Sequence, residues 1–527
     1  MTFNFQDIKA LAGPLFVVAW GMIVLLADLA EGGSRRRHLL PALTIVGLAI
    51  AAILSVLSVV TPGTAASFGP ASPTTHFGGG MVSDTFGALL CVILCIVAAL
   101  AVLMSGQYLE ERGINQGEFY ALTLFSTAGA MLMALAFDLV NVFVGLEILS
   151  VSLYILSGFA RRERRSEEAA VKYFLLGAFA SGFLLYGTAL VYGAVGLSVR
   201  NQSWAPSLSA NSFTNFYVIG EALRATHGTA ASLLDSPIFV AGVAMVIVGL
   251  GFKAAIVPFH SYAPDVYEGA PTPVTAFMSV AAKVGAFAAL IRIVQLLGAG
   301  GDYGPFHNVL WGLAAATMIV GNVLAVRQTN LKRMLAYSSI AHAGYILVGV
   351  LASASHDPNA SLLAQSAVRY YLFAYTFMNL GSFALIIWMG RVNGGEYLNI
   401  RDYNGLGKRH PLAAAALSIF MLSLAGIPPT AGFVGKLFLF LSAIHGGETV
   451  LAVIGLVVSA IGVFYYLNII AAMYFREPEH DYSDARAGGA RTAALIAAAA
   501  ILVFGLVPAL SGAMAPDFEA VVGTAAR

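Results

Sequence analysis

The chain has 527 residues, 59% of them hydrophobic and only 10% charged, with a mean hydropathy of +0.82. That balance excludes a soluble globular domain and places the chain in lipid. Its formal charge of +1 says nothing about partners, because an average over a membrane chain hides where the charges sit. Nucleic acid is not among the expected partners.

Stretches of roughly 20 apolar residues, each enough to cross a hydrocarbon core of about 30 Å, recur along the whole length. In chain order the expected spans are Leu11 to Ala30, Leu39 to Val60, Thr85 to Met104, Phe119 to Phe137, Leu139 to Phe159, Ala169 to Val195 and Pro237 to Tyr262. They continue with Pro273 to Leu297, Val309 to Val326, Met334 to Leu351, Gln365 to Met389, Leu412 to Ile444, Val450 to Phe475 and Thr492 to Leu510. The pattern predicts an all-α polytopic membrane protein of about fourteen transmembrane helices, with no large soluble domain between them. The opening MTFNFQDIKA lacks the basic lead of a secretory signal, so the first span is expected to remain as an anchor.

Lysine and arginine collect on one side of this arrangement: Arg35 to Arg37, Arg112, Arg161, Arg162, Arg164, Arg165, Arg327, Lys332, Arg333, Arg391, Arg401, Lys408, Arg409, Arg476, Arg486 and Arg491. The other side holds Lys9, Arg200, Arg224 and Arg527. Positive loops stay cytoplasmic, which predicts both termini on the outer, periplasmic face. Cys91 and Cys95 share a helix face inside one span and match no common cluster or zinc spacing, so they read as small buried apolar residues. The connection Leu197 to Ser236, rich in Ser, Asn, Ala and Thr, reads as a functionally quiet surface insertion.

Two segments repeat. The sixth span opens AVKYFLLGAF at Ala170 and the eleventh opens AVRYYLFAYT at Ala367. An odd number of spans separates them, so the copies enter from opposite faces, the arrangement of inverted repeats. Proline should interrupt the seventh span at Pro258 in GFKAAIVPFH and the twelfth at Pro428 and Pro429 in GIPPTAGFVGK. Each lies one span after a matched segment, and paired broken helices point to an ion path. The expected divisions are 1–115 for the first three helices, 116–297 and 298–475 for two inverted five-helix repeats, and 476–527 for the last helix.

Several charges fall within or near the spans: Glu147, Lys172, Lys253, Lys283, Arg292, Arg369 and Lys436. Each central ion costs about 2.5 to 3.5 kcal/mol on insertion scales, so a series needs a reason. Arg292 and Arg369 lie near outer ends, where snorkelling explains them. Lys172 is open between snorkelling and function. Lys253, Lys283 and Lys436 lie well inside their spans and read as functional. Glu147, near the centre of its span, needs a cation or a proton, and a Glu and Lys that approach and separate change proton affinity by geometry, as a proton relay requires. His260 could carry protons between lysines or serve as a hydrogen-bonded structural residue, and His342 in YSSIAHAGY faces the same choice. No dinucleotide or phosphate loop and no cluster-holding cysteine set is present, so energy must come from partners or an ion gradient.

At PDVYEGAPTPVTAFMSVAAK (Pro264 to Lys283), with GFKAAIVPFH before it and GIPPTAGFVGK later, the chain resembles the subunit N family of bacterial NADH-quinone oxidoreductase, respiratory complex I, over nearly its whole length. The resemblance implies an antiporter-like subunit in the bacterial inner membrane, with two inverted five-helix repeats and broken helices 7 and 12. It implies that Glu147 and Lys253 form a coupled ion pair with Lys172 as an accessory cation beside it. By the same likeness Lys283 is the central connecting lysine, Lys436 the terminal one, and His260 lies in the path between sites. It implies no cofactor on this chain, with FMN, iron-sulfur clusters and quinone on partner subunits. The implied partners are other membrane subunits of the complex, including neighbouring antiporter-like ones, and the lipid bilayer. A subunit of a cation/proton antiporter shares this scaffold and is the alternative.

Overall fold

The computed structural model describes residues 5–31, 39–59, 74–199, 213–228, 232–299, 304–390, 396–479 and 488–515. A short α1 (Phe5–Ala10) leads into α2 (Ala12–Glu31) and α3 (Leu39–Leu57), and a small hairpin of β1 (Thr74–His76) and β2 (Met81–Ser83) follows. Next come α4 (Thr85–Glu111), α5 (Gly117–Leu135), α6 (Leu139–Ser157), α7 (Arg164–Val199), α8 (Phe216–Thr226), α9 (Pro237–Ala254), α10 (Tyr262–Gly269) and α11 (Thr272–Ala299). The remainder is α12 (Gly304–Val326), α13 (Leu331–Ala352), α14 (Pro358–Trp388), α15 (Leu406–Arg409), α16 (Pro411–Ala425), α17 (Ala431–His445), α18 (Thr449–Phe475) and α19 (Gly488–Leu506).

Among the described residues, 13 helices are long and apolar enough to cross a membrane, and α16 and α17 are shorter apolar helices in place of the twelfth expected span. Polar residues set the starts: Asp84 caps α4 by accepting from Gly87 N at 2.7 Å, and Asp138, Asn330, Asp357 and Thr430 cap α6, α13, α14 and α17 in the same way. The apolar window of α11 is 100% buried and those of α13 and α14 are 94% buried, whereas that of α2 is 28% buried, so the former make the core and α2 lies at the edge. Helices α5 and α6 touch backbone to backbone, because a Cβ on Gly129 would lie 2.7 Å from the Gly145 carbonyl oxygen.

Both expected breaks are present and are built alike. Helix α9 ends on Ala255 in the left-handed region (φ 59°), Ile256 N donates back to Gly251 O at 2.8 Å, and a cis Val257–Pro258 peptide follows. Helix α16 ends on Gly426 (φ 83°), Ile427 N donates back to Leu422 O at 2.9 Å, and a cis Pro428–Pro429 peptide follows. In each the left-handed residue turns the chain out of the helix and satisfies the last carbonyls.

Three expectations need correction. Arg292 does not reach an interface: it is tied to Asp84 by two hydrogen bonds of 2.7 and 3.0 Å and donates to Ala134 O at 2.9 Å. A capping carboxylate within reach outcompetes water for a guanidinium. Arg369 is likewise folded inward, 9% exposed, donating to Ser366 Oγ at 3.2 Å. The connection after α7 is partly bound structure. Asn215 donates to Gly79 O at 2.6 Å, Thr214 Oγ1 to Asp138 at 2.8 Å, and α8 packs an apolar face on α11. Cys91 and Cys95 are free and buried in α4. Arg35 to Arg37, Arg200, Arg391, Arg486 and Arg527 lie outside the described residues.

Asp84 thus both caps α4 and neutralises Arg292. Asp84→Ala is expected to cost about 3 kcal/mol, because it leaves a buried cation uncompensated. Thermal melting of the detergent-solubilised protein measures this, and an unchanged midpoint would show that the pair is dispensable.

Candidate functional site

The lysines expected to be functional lie deep in the protein. Lys253 in the last turn of α9, Lys283 in the middle of α11 and Lys436 in α17 are 2%, 1% and 7% exposed. Among the described residues none forms an ion pair with a carboxylate. Neutral acceptors hold them instead. Lys253 Nζ donates to Tyr173 OH at 3.2 Å and lies over the Tyr173 and Tyr154 rings, 4.9 and 5.2 Å from their centroids. Lys283 Nζ donates to Ser339 O at 2.7 Å and to Ser339 Oγ at 2.6 Å, joining α11 to α13.

Lys436 shows what the second break provides. Its ammonium donates to Leu424 O at 3.0 Å and Ala425 O at 2.9 Å, the free carbonyls at the end of α16, and to Ser459 Oγ of α18 at 2.8 Å. A cation is stabilised at a helix C-terminus by the aligned peptide dipoles. Gly426 is required twice here, for its positive φ and because a Cβ would lie 2.8 Å from Lys436 Cδ.

The histidine between the two inner lysines is His342 of α13. It is 1% exposed, with Nδ1 at 2.5 Å from Tyr371 OH and Nε2 at 3.2 Å from Tyr466 OH. Tyr466 also pairs with Ser338, the neighbour of the Ser339 that holds Lys283. On the other side Tyr345 meets the His342 ring edge-on at 5.6 Å and carries Lys436 over its own face at 5.0 Å. Hydrogen bonds join Lys283 to Ser339 and, separately, Ser338 through Tyr466 to His342, while ring contacts through Tyr345 join His342 to Lys436.

Three expected placements differ. Glu147 is near enough to act electrostatically on Lys253 but is not bridged to it, and its Oε1 is shielded with no hydrogen-bond partner among the described residues. Lys253 is instead drawn to the tyrosines. His260 lies in the break after Pro258, half-buried with Nδ1 unpartnered, and is not brought between the lysines. It sits on the turn between α9 and α10, whereas α13 carries His342 into the core. Lys172 is not beside the Glu147 and Lys253 pair: its Nζ bridges Glu168 at 2.7 Å and Asp265 at 2.9 Å. Successive helix residues point about 100° apart, so Tyr173 faces inward while Lys172 faces this outer cluster.

That cluster lines a pocket of roughly 230 Å³ formed by Arg165, Glu168, Lys172, Asp265, Glu268 and Arg333. Burial alone would raise the Asp265 carboxyl, but hydrogen bonds from Lys172 and Arg333 hold it below the ordinary carboxylate range. Nearby, Glu396 accepts from Thr272 and lies 3.7 Å from Lys332 and 3.6 Å from Arg112, linking the two halves of the chain. Sequence reasoning missed Asp265 and Glu396. Asp265 stood inside the PDVYEGAP segment as an acidic residue beside a span, which was its only available signal; Glu396 lies in a loop and gave none. Among the described residues there is no group of His, Cys, Asp and Glu able to hold a metal.

Broken helices, buried lysines with no bridged carboxylate among the described residues and a buried tyrosine and histidine network define an ion-handling helical membrane protein. Residues 136–462 match the family model described as NADH:quinone oxidoreductase/Mrp antiporter, TM, and the chain belongs to that family. It is 43% identical to NADH-quinone oxidoreductase subunit N 1 of Herpetosiphon aurantiacus, covering 96% of each chain. It is also 43% identical to NADH-quinone oxidoreductase subunit N of Trichlorobacter lovleyi, over 87% of this chain and 88% of that one. Among solved structures, a chain of respiratory complex I from Thermus thermophilus superposes with a TM-score of 0.72 at 31% identity, covering 94% of this chain and 98% of that one. A chain of the Mrp complex from Dietzia shares the fold, with a TM-score of 0.76 at 23% identity over 97% and 96% of the two chains.

Gly426→Ala is expected to displace the Lys436 ammonium, at a backbone cost of roughly 1 to 2 kcal/mol. Ion movement by the assembled protein should fall several-fold with assembly retained; normal transport would show that the α16 carbonyls do not matter to Lys436. The lowered Asp265 carboxyl contributes stability that is fully present above its ordinary pKa near about 4 and is lost as pH falls through its native value. Melts of Asp265→Asn should therefore lie below wild type near about pH 6 and converge with it near about pH 3. A gap of constant size would rule out the pairing as the cause.

Proposed function

We propose that this chain is the N-type antiporter-like membrane subunit of a bacterial NADH-quinone oxidoreductase and that it passes protons along Glu147, Lys253, Lys283, His342 and Lys436. The observation that carries the relay is the burial of three ammonium groups on hydroxyl, phenol and carbonyl acceptors. Acceptors of that kind hold a proton without trapping it, whereas a permanent carboxylate bridge would fix the lysine in its charged form. The subunit N relatives support the assignment to this complex.

In this reading 116–297 and 298–475 are inverted repeats, and their two similar breaks serve one half each. The arginine-rich side faces the cytoplasm and both termini face the periplasm. Closing and opening of the Glu147 and Lys253 pair changes how readily Lys253 gives its proton to Lys283. The proton then moves by His342 to Lys436, from which it leaves by the opposite face. Lys172 and His260 have no place on this line: Lys172 belongs to the charged pocket at the cytoplasmic mouth, and His260 to the rim of the first break. Quinone reduction on partner subunits, which carry the FMN and iron-sulfur clusters, supplies the energy. The shared fold of the Mrp complex keeps an independent cation/proton antiporter as the second reading.

In proteoliposomes containing the assembled oxidoreductase, Lys253→Ala or Glu147→Ala should lower NADH-driven proton pumping by about a hundredfold or more, the low end of what a positioned proton-transfer group contributes. Lys408→Ala, at an exposed bridge to Glu477, should leave it unchanged. Full pumping in both relay variants would reject the assignment. Gradient-driven Na⁺ or K⁺ exchange by this chain alone in liposomes would favour the antiporter.

A further inference from the structure

The Lys253 ammonium lies in an aromatic cage rather than on Glu147. Tyr154 and Tyr173 meet edge to face, with centroids 4.9 Å apart at 87°, and both rings face the ammonium while the Tyr173 phenol oxygen accepts its hydrogen bond. The cage is fixed from behind. Tyr262, the first residue of α10, stacks on Tyr173 at 5.2 Å and 5°, and Phe252 stacks on Tyr262 at 4.2 Å. Phe252 is the residue before Lys253, so the stack ties both flanks of the first break to the same rings.

Tyr154 and Glu147 lie on one helix, two turns apart and on the same face. Lys253 therefore rests on the ring of a stripe of α6 that also carries the Glu147 carboxyl. Tyr173 also follows Lys172 of the charged pocket in α7.

We propose that Tyr154 and Tyr173 form a second station for Lys253, which holds its ammonium when the ion pair with Glu147 is open. Ring faces and a phenol oxygen stabilise a cation by cation–π attraction and one hydrogen bond, yet neither removes its proton near neutral pH, since a phenol is itself protonated to about pH 10. The cage keeps the open lysine aimed, and its weaker hold leaves the proton free to pass on when the break moves. Both tyrosines are positioning residues, and the proposal rests on the relay reading.

The test uses the intact oxidoreductase in proteoliposomes, with assembly checked by native gels. Tyr173→Leu removes ring and phenol together, and NADH-driven pumping should fall by about tenfold, the rate equivalent of losing one desolvated cation–π contact. Tyr173→Phe, which keeps the ring, should restore most of it. In a Lys253→Met background Tyr173→Leu should cause no further loss. If Tyr173→Leu does not assemble, Tyr154→Leu and Tyr154→Phe provide the same comparison. Pumping that is normal in the Leu variant, equally low in the Phe variant, or lowered again in the Lys253→Met background overturns the cage. Full pumping in Lys253→Met alone overturns the relay instead.

Discussion

The structure depends on holding three lysines inside a low-dielectric core with, among the described residues, no carboxylate bridged to any of them. A buried ion must satisfy its donors or lose its charge. Here the acceptors are a phenol for Lys253, a serine hydroxyl and carbonyl for Lys283, and two helix-end carbonyls with a serine for Lys436. Among the described residues these neutral acceptors, rather than carboxylate bridges, hold the three side chains.

The helix breaks follow from the same constraint. An unbroken helix spends its carbonyls on its own turns and has none to offer at the membrane centre. Ending α16 at Gly426 exposes Leu424 O and Ala425 O to Lys436, and the left-handed turn brings Ile427 N back to close the ladder. The first break is built alike but used differently. Lys253 precedes its left-handed residue and rests on Tyr173 and Tyr154, whereas Lys436 follows its own and rests on helix-end carbonyls.

Charges that are paired lie elsewhere. Asp84 with Arg292, Asp265 with Lys172 and Arg333, and Glu396 with Lys332 and Arg112 sit at helix ends and in loops. Burial would raise the Glu396 carboxyl, but Lys332 and Arg112 outweigh it and hold it below the usual range. These bridges anchor the frame, so the inner lysines need not contribute to stability by pairing.

Membrane insertion, the positions of the spans and both breaks were legible in the sequence, because apolar run length and proline act locally. So were Lys253, Lys283 and Lys436 as buried cations, since a charge amid apolar residues stands out without any fold. Their partners were not. Which of Glu147, Tyr154 and Tyr173 meets Lys253, whether His260 or His342 enters the core, and whether Lys172 turns inward or out to Asp265 all depend on helix rotation and on neighbours distant in the chain. Tertiary packing decided those contacts, because a side chain's direction is set by the helix that carries it and its partner by the helices packed against it.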